Sequence, residues 1–92
     1  PSRALRLLRA ASHDAGAPTQ ADIVAAFGAP DLVRNEGAGA ALTYRLETCA
    51  LLLLFEADGQ NTQRLTMVHP GPRRAGAATP SVEQCAAEAH PR

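Results

Sequence analysis

Residues 49–57, CALLLLFEA, are apolar without interruption from Ala50 to Phe55 and lie between two segments that alternate. Ala41 to Glu47 sets Leu42, Tyr44 and Leu46 against Thr43, Arg45 and Glu47. Arg64 to His69 sets Leu65, Met67 and His69 against Thr66 and Val68. A period of two is that of a strand with one face buried, and a continuous apolar run between such strands is a strand with neighbours on both sides. Asp58-Gly59 supplies a hairpin turn between the second and third segments. The run is far shorter than the roughly 18 or more apolar residues of a membrane helix. It is therefore expected at the centre of an antiparallel sheet.

Leu32 to Glu36 can add a short fourth strand, turned into its neighbour by Gly37-Ala38-Gly39. Helices are expected at three places. In RALRLLRAA, residues 3–11, Ala4, Leu5, Leu7, Leu8 and Ala11 fall on one side and Arg3, Arg6 and Arg9 on the other. Thr19, with Asp22 three positions on, has the form of a capping box before a helix over 20–27, which Gly28 is expected to stop in a left-handed conformation and Pro30 cannot continue. Ser81 is positioned as the N-cap of a final helix carrying Val82, Cys85, Ala86 and Ala89 toward the sheet. Residues 1–18 are read as an amphipathic helix and linker, and 19–92 as a single domain. The expected class is α+β: three to four antiparallel strands with helices packed on one face.

The glycines of FGAPDLVRNEGAG, residues 27–39, do not make a phosphate loop. Such a loop leads from a strand into a helix N-terminus, and here the order is reversed, with no GKS, GKT or GxGxxG spacing in the chain. The nine arginines are balanced by nine acids, which excludes the cationic excess of a dedicated nucleic-acid binder. Ser12-His13-Asp14 spells out a triad, but adjacent residues cannot face one another in triad geometry. His69, Cys85 and His90 are metal-ligand types without any paired spacing to anchor a site. No enzyme, metal or cofactor is expected, and no small-molecule ligand.

A chain of 92 residues with no Trp, one Tyr and two Phe can build only a thin core. Cys49 opens the apolar strand and Cys85 lies on the apolar side of the last helix, two elements that should touch. A disulfide is expected, with two buried thiols as the alternative, and a disulfide points to an oxidising compartment.

DIVAAFGAPDLVRNEGAGAALTYRLETCALLLLF resembles small bacterial envelope proteins, often lipoproteins, similar in layout to the SmpA/OmlA outer-membrane lipoproteins and the β-lactamase-inhibitor-like fold. The resemblance rests on Phe27, Gly28, Pro30, Asp31, Arg34, Glu36, Gly37, Tyr44, Cys49, Leu51 and Phe55, with Cys85 as the later cysteine, and spans about residues 19–89. Thr43 and Leu52 depart from it, standing where the pattern has Trp and an acid. It implies a non-enzymatic protein of the periplasm or outer membrane that works by contact, in some relatives as an accessory to outer-membrane assembly. A chain that starts at Pro1 without a leader is then expected to be a processed or truncated piece of an exported protein.

The expected contact surfaces are the charged corner Asp31, Arg34 and Glu36 and the sheet's solvent face with Arg45, Glu47 and Arg64. For Arg34 and Glu36, two residues apart on one side of a strand, an internal ion pair is the competing expectation. The partner is expected to be an envelope protein, with Arg3, Arg6 and Arg9 as a possible approach to anionic headgroups. The alternative function is a protein inhibitor or apolar-ligand module with its groove between sheet and helices.

Overall fold

The computed structural model describes residues 2–89. Its elements follow the order α1 (Arg3–Arg9), α2 (Gln20–Phe27), β1 (Leu32–Glu36), β2 (Gly39–Arg45), β3 (Cys49–Ala57), β4 (Gln63–Pro72) and α3 (Val82–Ala87). The strands form one antiparallel sheet in the order β1-β2-β3-β4, so the apolar run is an interior strand. The helices lie on one face of it, which makes the fold α+β.

The alternation of β2 and β3 sorts their side chains between the faces. Ala40, Leu42 and Tyr44 of β2 and Cys49, Leu51, Leu53 and Phe55 of β3 are buried, and they form one core with Ile23 and Phe27 of α2 and Cys85 and Ala86 of α3. Ala4 and Leu8 of α1 belong to the same core, so residues before 18 and after 19 share one interior. The Phe27 and Tyr44 rings pack with centroids 5.2 Å apart. The Tyr44 hydroxyl donates to the carbonyl of Gly28 at 2.7 Å, which lets a phenol sit fully buried in so small a core.

Thr19 and Asp22 form the capping box at the start of α2, and Ser81 accepts from the Gln84 amide at the start of α3. Gly28 ends α2 at φ 81°, ψ −167°, a region open essentially to glycine alone but distinct from the expected left-handed helical stop. Gly37 has φ 59° and Glu36 pairs with Gly39. The β1–β2 turn therefore has two central residues, Gly37 and Ala38, and Gly39 belongs to β2.

The last strand differs most from expectation. A bulge between Leu54 and Phe55 pairs Phe55 with Leu65 but Leu54 with Met67. The slip of one residue sends Leu65 and Val68 toward the helices and Met67 and His69 to the opposite face, whereas simple alternation groups Leu65, Met67 and His69 together. β4 also runs on through Pro70 and Pro72 in place of a loop. An edge strand tolerates proline where the missing N–H would face away from the sheet, and alternation carried past the bulge puts both prolines at such positions.

Cys49 and Cys85 are joined by a disulfide with their Cα atoms 5.5 Å apart, tying the first residue of β3 to α3. Glu88, the C-cap of α3, reinforces that tie. Its carboxylate accepts from the Thr48 and Cys49 amides at 2.9 and 3.2 Å and from the Thr48 hydroxyl.

Candidate functional site

The face of the sheet away from the helices is left without a covering layer among the described residues. Register places Leu32, Thr43, Leu52 and His69 in one row across the four strands, and Arg34, Ala41, Leu54 and Met67 in the next. Leu32 is 52% exposed and Met67 46%. A depression of about 510 Å³ on this face takes its lining entirely from β1, β2 and β3, including Leu32, Ala41, Thr43, Leu52 and Leu54, with Arg34, Glu36 and Glu56 as its charges. The floor of this trough is apolar and its charges are confined to Arg34, Glu36 and Glu56. The side of the sheet facing the helices carries the core residues of β2 and β3.

The residues singled out in the sequence divide between this face and the scaffold. Arg34 and Glu36 stand on the open face and pair at 3.0 Å, with side chains 76% and 66% exposed. Asp31 instead fastens the start of β1: its carboxylate accepts from the Arg45 amide at 2.6 Å, and its own amide donates to the Thr43 carbonyl. Arg45 is exposed at the end of β2, with its amide held by Asp31. Glu47 follows β2 and lines a second hollow of about 380 Å³ with Thr48, Arg73, Arg74 and Ala77.

Arg64 sits opposite Glu56 in the sheet, but its guanidinium is engaged within the chain. Its guanidinium donates to the Asp58 carboxylate at 3.1 Å and to the Ala17 carbonyl at 3.0 Å, leaving the side chain 23% exposed and that of Asp58 only 6%. It pins the connection between α1 and α2 to β4. On α1, Arg9 pairs with Glu83 of α3 at 2.7 Å, and Asp22 of α2, whose carboxyl is held below its ordinary value chiefly by the hydrogen bond from the Thr19 amide, is drawn down a little further by Arg3. The cationic side of α1 thus has acidic neighbours on the other helices.

Asp58 and Glu88 are structural carboxylates, of which only Asp58, in the turn Asp58-Gly59, is marked by local pattern. Asp58 had a signal, since Asp at the head of D-G-Q-N-T is suited to accepting from the amides that follow it. It accepts from the Gln60 and Thr62 amides at 2.8 and 3.0 Å. Glu88 gave none, because its partners lie about forty residues earlier.

Hydrogen bonds from the Thr62 and Gln60 amides lower the Asp58 pKa below its ordinary value of 3.8. For Glu88, desolvation pushes upward but is outweighed by hydrogen bonds from Thr48, Gln84 and Cys49, so its carboxyl also lies below its ordinary 4.5. A carboxyl depressed in the folded state contributes stability that is present above its unfolded value and lost as pH falls through the folded one. These groups predict stability independent of pH from 7 down to about 5, followed by a decline below about 4.5. Chemical unfolding at pH 7, 5 and 3 measures this, and a midpoint at pH 3 equal to that at pH 7 would contradict it.

Among the described residues no three His, Cys, Asp or Glu side chains cluster as metal ligands. Cys85 is bonded to Cys49, and His90 lies outside the described residues. No described helix is long and apolar enough to cross a membrane. No known family model matches the chain, and no curated protein or solved structure matches it.

Proposed function

We propose that this protein is a non-enzymatic interaction domain of the cell envelope that holds a protein partner against the open face of its sheet. The observation that carries the reading is the two-sidedness of the sheet. One face is sealed by three helices, while the other presents Leu32, Leu52, Leu54 and Met67 around a charged rim. Leaving leucines in water across a sheet sacrifices burial in a core that has little to spare, and a partner that covers them recovers it.

The envelope location is supported by the disulfide, which persists in oxidising compartments, and by the resemblance of residues 19–89 to SmpA/OmlA-like proteins. Such a domain acts as an accessory, positioning its partner in an envelope assembly without performing chemistry.

Cross-linking in cells of the native host, followed by purification, is expected to recover a distinct envelope protein. Leu52→Glu and Leu54→Glu, each placing a charge in the trough, are expected to abolish that recovery. Their side chains lie outside the core, so thermal unfolding should stay within a few degrees of the parent. Equal recovery from the parent and from both folded variants would refute the reading.

A further inference from the structure

We infer that β1 is a self-complementary edge through which two copies of this chain pair into one continuous antiparallel sheet. The two edges of the sheet are treated differently. At β4 the Leu65 amide donates to the Pro18 carbonyl and the Leu65 carbonyl accepts from the Ser12 amide, while Pro70 and Pro72 remove donors farther along. That edge is closed to further pairing. Strand β1 has none of these protections: it is five residues of LVRNE, exposed throughout, without proline or bulge.

The register follows from the hairpin. Because Glu36 and Gly39 close a two-residue turn, Leu32, Arg34 and Glu36 direct their main-chain groups toward β2, and Val33 and Asn35 direct theirs outward. A twofold axis perpendicular to the sheet can then be centred on Val33, Arg34 or Asn35. Centring on Arg34 sets two guanidiniums directly opposite one another, and centring on Val33 leaves Arg34 opposite Leu32. Centring on Asn35 exchanges main-chain hydrogen bonds between the two Asn35 residues and sets each Arg34 opposite the Glu36 of the other copy. These charge pairs fall at the non-hydrogen-bonded positions, where facing side chains are closest.

The Arg34–Glu36 ion pair seen within one strand thus has an equivalent between strands, with no change of face for either side chain. The axis keeps both open faces on the same side, so the two troughs become neighbours on an eight-stranded sheet. Five paired residues bury less than the roughly 1,200 Å² at which stable specific interfaces begin, so the dimer is reversible and forms at high protein concentration. This contact does not depend on the envelope partner, and its failure leaves the reading of the open face intact.

Sedimentation of the purified protein from micromolar to millimolar concentration should show a rise from monomer toward dimer mass. Arg34→Glu and Glu36→Arg should each keep the protein monomeric, since each sets like charges opposite one another in the dimer. Mixing the two variants should restore a mixed dimer, because every opposing pair is then of opposite sign. Asn35→Cys should form an intermolecular disulfide on oxidation. Monomer at every concentration, or association indifferent to both charge changes, overturns the proposal, and a heterologous strand becomes the occupant of β1.

Discussion

Breaking the Cys49–Cys85 bridge is expected to be among the most damaging changes this fold can suffer. The cysteines are 36 positions apart, and a cross-link closing a loop of that length restricts the unfolded chain by about 3–4 kcal/mol in the chain-entropy model. A domain of this size has a total stability of only roughly 5–14 kcal/mol. The bridge also joins the interior strand to the last helix, and both cysteines are fully buried, so its loss opens a route for α3 to leave the sheet. Replacing both cysteines with alanine should lower the melting temperature by about 12–30 °C, at 4–8 °C per kcal/mol for a domain of this size. Thermal unfolding of the parent with and without reductant checks the same quantity, and a shift of only a few degrees in both experiments would contradict it.

The second large effect is expected at Phe27. Its ring is fully buried against Tyr44 at the end of α2, where a short helix meets the sheet. Phe27→Ala removes that contact and leaves a cavity, which costs about 3–5 kcal/mol in a well-packed interior. Tyr44→Phe makes a useful companion, because it keeps the ring and deletes only the hydroxyl that donates to the buried Gly28 carbonyl. An acceptor left unsatisfied in the core costs about 1–3 kcal/mol. Denaturant unfolding should therefore rank Phe27→Ala as clearly more destabilising than Tyr44→Phe. The reverse order would mean that the hydroxyl, and not the aromatic packing, holds α2 to β2.

The parts of this fold that could be read in the sequence are those fixed by local pattern. The uninterrupted apolar run marks β3, Thr19 and Asp22 place the start of α2, and Cys49 and Cys85 are paired by the elements that carry them. What escaped reading depends on contacts between distant segments. The bulge opposite Leu54 and Phe55 reverses the faces of Met67 and His69, and nothing in residues 64–69 announces it. Pro70 and Pro72 read as a loop until β4 is known to be an edge.

The same limit applies to the charged side chains. Arg34 and Glu36 were legible because they are two residues apart on one strand, and their pairing is local. Arg64 reads as a surface cation until the α1–α2 connection is folded over it, bringing the Ala17 carbonyl within reach. The open face itself follows from the count of layers. Helices sufficient to cover one side of the sheet leave the leucines of β3 that point the other way without cover.

The two-sided sheet makes the choice of contact face the decisive matter. A photo-reactive residue placed at Leu52, on the open face, can be compared with one at Arg6, on the exposed side of α1, in cells of the native host. Irradiation is expected to yield a discrete covalent adduct from position 52 and none from position 6. An adduct from position 6 with none from position 52 would contradict the account and move the working surface to the helices.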